Sequence, residues 1–354
     1  MKLLRPISIV ICLGCFLGLP AASAIAQVQL LPPPGAPAPV KKPAKAKIIK
    51  PAAKKPAPVA TPAPALPSTA NSPSVTDDPN ADVVFGAYQR GQYKTAFDLA
   101  SARAQNGDPK AMAMLGELYA GALGVKRDFA KAAEWYKRAA DLGDREAMFA
   151  LAMLRISGRG GPVNREEGAK LLASSAKLGS PKAAYNLALL YLDGQTLPQD
   201  LMRAAELLRV AADAGNPEAQ YALATFYKEG TGVPKDIDKA VRLLQAASLA
   251  DNVDAEVEYA IALYNGTGTP KNETAAVALL RKAARQNSPI AQNRLASVLV
   301  TRPGPEDRIE GLKWHIVAKT AGKGDLKLDE ALAQASPEDR AKAQDAARKW
   351  LGAK

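Results

Sequence analysis

An alanine returns every 36 residues through most of this chain, with Ala111, Ala147, Ala183, Ala219, Ala255 and Ala291 standing in one column without a gap. Such repetition constrains the fold more than composition does, because each unit is one small element that must bury its apolar face against the next. Other columns keep the step. Leu115, Leu151, Leu187, Leu223, Tyr259 and Leu295 are followed by the small residues Gly116, Ala152, Ala188, Ala224, Ala260 and Ala296. Glycine recurs at Gly124, Gly160, Gly232, Gly268 and Gly304, with Thr196 as the exception. Asn164, Asp200, Asp236, Asn272 and Asp307 each follow a proline by two positions, and Asp128 shares their column without one. Trp135, Leu171, Leu207, Leu243, Leu279 and Trp314 come next, the last of them one residue early.

The unit from Pro217 to Asn252 shows what the columns mean physically. Ala219, Leu223, Ala224, Phe226 and Tyr227 recur at helical spacing. The run Glu229-Gly230-Thr231-Gly232 ends that helix, since glycine takes backbone angles through which a helix cannot continue. Asp236 restarts the chain as an N-cap, its carboxylate accepting free N–H groups of the first turn. The second helix carries Ile237, Ala240, Leu243, Leu244 and Ala247 on one side. Alanine and glycine columns let the two backbones approach, and neither helix buries its face alone. An all-α stack of helix-turn-helix units is the expected fold.

These residues resemble tetratricopeptide-type repeats, and specifically the Sel-one-like variant, A-x-x-x-L-[GA]-x-x-Y-x-x-G-x-G-V-x-x-[DN]-x-x-K-A-x-x-[WL]-x-x-x-A-A-x-x-G-[DN]. The unit at Pro217 matches it at Ala219, Leu223, Ala224, Tyr227, Gly230, Gly232, Val233, Asp236, Lys239, Ala240, Leu243 and Ala247, and departs from it at Ser248 and Asp251. The resemblance implies a right-handed α-solenoid with six repeats over residues 109–325, the first helices lining its concave surface, and the binding of other proteins as the shared property. Residues 81–108 read as a degenerate first unit, with Ala96, Leu99, Ala104 and Gly107 in register. Residues 326–354 read as capping helices, opened by Ser336-Pro337-Glu338-Asp339.

Ahead of the array, residues 1–26 have the basic start, short apolar run and small-x-small cleavage pattern of a secretory signal peptide. Cys12-Leu13-Gly14-Cys15 keeps lipid or membrane anchoring as an alternative. Residues 27–80 are a proline-, alanine- and lysine-rich spacer that cannot form a core and is expected to be disordered. Both cysteines of the chain lie in the leader, so the expected mature protein has no disulfide. The net charge of +12 is concentrated at this end, through Lys2, Arg5 and seven spacer lysines, which argues against nucleic-acid binding by the array. The lysines suit anionic cell-wall polymers or simply keep the spacer soluble.

Little in the chain announces chemistry. There is no G-x-S-x-G, no phosphate loop and no pair of metal-ligand histidines. The single histidine, His315, follows Tyr136, Leu172, Leu208, Leu244 and Leu280 in its column and reads as a half-buried repeat position. Some cysteine-rich members of the resembled family are assigned β-lactam binding or hydrolysis; they are held by disulfides, so the expectation here is no enzyme, no cofactor and no metal. The positions that the fold leaves free are more informative. The resemblance puts Phe149, Met153, Ile156, Tyr185, Leu189, Leu192, Tyr221, Ile261 and Tyr264 on the concave side as a candidate partner-binding stripe. The expected function is a periplasmic protein-interaction scaffold or regulator of the bacterial cell envelope, with an envelope protein in the groove. The alternative is a peptidoglycan-associated or wall-assembly factor acting through the basic spacer. Neither the partner's identity nor the oligomeric state is written in the sequence.

Overall fold

The computed structural model describes residues 82–352, so the expected leader and spacer lie outside the described residues. Helices follow one another in pairs: α1 (Val83–Gln89) with α2 (Tyr93–Gln105), α3 (Pro109–Gly121) with α4 (Phe129–Asp141), α5 (Arg145–Ser157) with α6 (Arg165–Lys177), and α7 (Pro181–Asp193) with α8 (Leu201–Asp213). The series continues with α9 (Pro217–Glu229) and α10 (Ile237–Leu249), α11 (Val253–Asn265) and α12 (Glu273–Arg285), then α13 (Pro289–Val300) and α14 (Pro305–Thr320). It closes with α15 (Leu326–Gln334) and α16 (Pro337–Gly352). No strand occurs among the described residues. From α1 to α14 each helix packs chiefly on its neighbours in sequence, which makes the molecule a solenoid.

Capping sets the period. Asp108, Asp144, Ser180, Asn216, Asn252 and Ser288 precede the first helices, and each side chain accepts from the backbone N–H of the column alanine, as Asn216 does from Ala219 at 2.7 Å. The alanine thus closes the cap with its amide and the helix contact with its methyl, and all six alanines are buried. Second helices start on Asp128, Asn164, Asp200, Asp236 and Asn272, which bond the N–H three residues on. The sixth pair departs from the expectation. Pro305 opens α14 behind Gly304, which has no side chain to cap with, and Asp307 lies inside the first turn, where it pairs with Arg281 and Arg302. The loop shortened by one residue brings the proline into the helix itself.

The loop glycine joins units together. At Gly232 φ is +66°, and a Cβ there would run into the carbonyl of Leu201, at the start of the preceding unit's second helix. Gly160 meets Phe129 in the same way. Gly304 does not play this part, its φ being −76°. Thr196 also lacks a positive φ, and its Oγ1 is buried without a hydrogen-bond partner among the described residues.

The C-terminal segment seals the last pair. Ala343, Ala347 and Trp350 bring α16 against α14, and Trp350 meets Trp314 edge-to-face at 5.1 Å. His315 is not half-buried but fully enclosed, 0% exposed, because α15 lies beside it. Its Nε2 is 2.9 Å from Asp329 Oδ1, and Lys319 holds the same carboxylate.

Candidate functional site

The nine residues of the expected stripe do not share one environment. Phe149 is 3% exposed and packs with Ala152, Ala169, Leu172 and Leu187, so it belongs to the core and is corrected from a groove residue to a joint residue. Ile156 lies against Gly168 of α6, where a Cβ would collide with it, and with Met153 it packs on the same core cluster, while Leu192 packs on the neighbouring cluster that includes Leu208 and Leu223. Ile261 and Tyr264 rest on the cluster around Leu280 and Leu295, and Lys271 stands over the Tyr264 ring at 5.8 Å. These residues are half-buried, with one side committed to packing.

Tyr185, Leu189 and Tyr221 remain. Leu189 is half-buried, yet it belongs to none of the core clusters formed by the described residues. Tyr185 leans on the cluster that includes Ala188 and Leu223, and Tyr221 on the one that includes Ala224 and Leu244. Burial raises the Tyr185 hydroxyl above the usual phenol range, and Glu218 of α9 adds to the rise. Ala184 and Ala188 of α7 pack with Ala219 and Leu223 of α9, and Lys228 of α9 bonds Glu258 of α11 at 3.0 Å.

Sequence reasoning missed the most polar part of the same face. Glu117 stands in the column of Met153, Leu189 and Ile261, but it is a carboxylate only 7% exposed. Tyr136 of α4 donates to its Oε2 at 3.0 Å. Burial pushes the Glu117 carboxyl up to about 6, against the Tyr136 hydrogen bond and the field of Lys182, two units further on. Burial also drives the Tyr136 hydroxyl well above its usual range and takes Tyr88 of α1 to about 12, with Glu117 adding to both. The Tyr88 hydroxyl is buried without a partner among the described residues. Its column also holds the polar residues Thr225 and Ser297, so the sequence carried no signal that singled Glu117 out.

Among the described residues no group of three or more His, Cys, Asp or Glu is placed to hold a metal ion, and no helix is long and apolar enough to cross a membrane. His315 is enclosed and engaged with Asp329. What this face presents is half-buried apolar and aromatic surface beside buried polar groups, an arrangement suited to holding another molecule.

Helix pairs stacked in chain order, with α3 to α12 all 13 residues long and all started by a side-chain cap, define an α-solenoid repeat protein. The family model described as Sel1 repeat matches residues 109–144, 145–180, 181–216, 217–252 and 253–288, so the chain belongs to the Sel1 repeat family. The sixth pair, α13 with α14, lies beyond those matches. Among solved structures, the Sel1 repeat protein of Oxalobacter formigenes is similar at 27% identity and a TM-score of 0.60, over 67% of this chain and 98% of that one. The protein c5321, a protective antigen of uropathogenic Escherichia coli with an SLR fold, is similar at 23% identity and a TM-score of 0.52, over 73% of this chain. The chain spans 64% of the length of that antigen. No curated protein sequence matches the chain.

Proposed function

We propose that this protein is a protein-interaction scaffold of the bacterial cell envelope, which holds a segment of a partner on the first-helix face of the solenoid. The observation that carries the reading is Leu189, half-buried outside every core cluster, with Tyr185 on its own helix and Tyr221 on the next first helix. Leucine and tyrosine so placed anchor a bound chain by burying area that the fold itself leaves uncovered. The envelope location rests on the leader-like start, and the lysine-rich spacer suits the reach of a domain whose other end is held. Repeat packing supplies a rigid frame, which lowers the ordering cost of binding.

The test replaces Tyr185, Leu189 and Tyr221 together by serine. Capture of envelope proteins by the full chain is expected to fall strongly while the helical signal and the melting temperature change little. If stability falls first and capture only with it, the three residues seal joints and the face is not the binding surface. If the folded variant captures as the native chain does, attention moves to the spacer, whose own binding is read by sedimentation with cell wall.

A further inference from the structure

We propose that the first-helix face of α7, α9 and α11 is the docking surface for this chain's own lysine- and proline-containing segment, residues 41–55, which covers the face until a partner displaces it. The proposal deepens the reading of that face as a binding surface and rests on it. Charge is the first observation. Apart from the enclosed Glu256, these helices carry Asp193, Glu218, Glu229, Asp254 and Glu258 against Lys182 and Lys228. Lys228 is taken up by Glu258 at 3.0 Å, whereas Glu218 and Asp254 make no ion pair among the described residues. Asp254 and Glu258 stand four residues apart on α11, a like-charge pair along one side of the helix. The surplus is particular to the first helices, since α12, packed against α11, carries Arg281, Lys282 and Arg285 against Glu273 alone. An acidic surface on a chain whose net charge is +12 is complementary to a basic segment.

Apolar chemistry narrows the occupant. Tyr185, Leu189 and Tyr221 offer half-buried aromatic and aliphatic surface on the same helices. Proline-containing segments suit such a surface, because their stiff backbone and rings lie against aromatic side chains at small ordering cost. Residues 41–55 hold Pro43, Ile48, Ile49 and Pro51 among seven lysines and no acidic residue. The four apolar residues match the tyrosine and leucine surface, and the lysines match the carboxylates. Connection then favours the chain's own copy over any other. Residues 56–81 join the segment to Asp82, where the described residues begin, and at ~3.1 Å per residue they reach roughly 80 Å. From α1 to α9 is four repeats, about 40 Å at ~10 Å between packed helices. The segment therefore reaches the face, and its tether holds it there at an effective concentration on the order of a millimolar, against which a free partner must compete.

The experiment follows, by fluorescence anisotropy, the binding of a labelled synthetic peptide with the sequence of residues 41–55 to two full chains. One is native, and in the other the lysines at 41, 42, 45, 47, 50, 54 and 55 are changed to glutamine. The glutamine chain should bind the peptide with a dissociation constant below about a millimolar, and the native chain about tenfold or more weakly, because its own segment already competes. In the glutamine chain, Glu218→Gln, Asp254→Asn and Glu258→Gln together should weaken the peptide about tenfold with the helical signal unchanged. Added salt should weaken it as well. Hydrogen exchange supplies a reading that needs no acidic variant: peptide added to the glutamine chain should slow amides of α7, α9 and α11 and leave those of α3 and α13 as they were.

Equal binding to the native and glutamine chains overturns the proposal, and so does a glutamine chain that ignores millimolar peptide. Binding indifferent to the three acidic positions, or slowed exchange only in other helices, overturns the location. If the native chain resists the peptide at high protein concentration but not on dilution, the segment of a second copy is the occupant and docking within one chain is overturned. Partner capture separates this proposal from the reading beneath it. Capture that needs Tyr185, Leu189 and Tyr221 from a chain that never binds the peptide leaves the face a binding surface and removes the docking. Peptide binding as expected, with capture indifferent to those three residues, keeps the docking and moves the partner elsewhere.

Discussion

Trp135 and Trp314 occupy the same column of the repeat and meet opposite fates. Trp135, in an inner unit, is half-exposed with the Arg138 guanidinium over its ring at 4.3 Å. Trp314, in the last unit, is 2% exposed under Trp350 of α16, with Lys313 over its ring at 4.1 Å. The next column repeats the contrast, since Leu172, Leu208, Leu244 and Leu280 are core leucines while His315 is bound to Asp329 of α15. Each inner unit is covered by the next unit's helices, so modest side chains suffice. The last unit has no successor, and two helices outside the repeat pattern cover it with a tryptophan pair and a small charged network. A column therefore fixes where a residue points, and the following element decides how deeply it is buried.

The largest expected effect tests whether that cover is local. Trp350→Ala should cost about 2–4 kcal/mol, the scale for truncating a large, partly buried aromatic. Hydrogen exchange should show lost protection in α13 and α14 while α3 and α4 keep theirs, as nearest-neighbour stability in a repeat array requires. Equal loss along the whole chain would mean that the array unfolds as one block and that the two regions differ in appearance only.

A change at an inner joint should be smaller and spread to both sides. Ala224→Leu forces bulk into a contact that the structure keeps closed, since Ala224 is buried beside Leu244, Ala247 and Ala255. A cost of about 1–3 kcal/mol is expected in denaturant melts. A neutral result would show that the small column is not what limits helix approach.

The smallest effect separates two kinds of helix start. Asp236 caps α10 by accepting from Lys239 N–H at 2.9 Å and also meets the Lys239 ammonium at 3.2 Å, so Asp236→Ala should destabilise the chain by a loss of which only the ion-pair share shrinks as salt is added. Asp307 makes no cap and instead meets Arg281 at 3.3 Å, so Asp307→Ala should cost less, with a difference that shrinks as salt is added. Equal costs with equal salt dependence would erase the distinction between the fifth and sixth pairs.

Much of the fold was legible because its determinants are local and repeated. The alanine, leucine and glycine columns, the Asx and serine caps and the 36-residue step all act within one unit or across one joint, and their repetition made them visible in the amino-acid sequence. The candidate site was legible only in part. The columns identified the first-helix face, but they could not distinguish Phe149, enclosed by Ala169 and Leu172, from Leu189, which lies outside the core clusters. They also gave no reason to single out Glu117, whose character depends on burial and on the hydroxyl that Tyr136 brings to it from α4. The sequence by itself determined the unit, its caps and its period, since these are short-range properties of the chain. Tertiary structure alone decided which residues of a shared face are sealed, which stay open and which ionisable groups are desolvated, because burial and electrostatic environment come from surfaces that several helices contribute together.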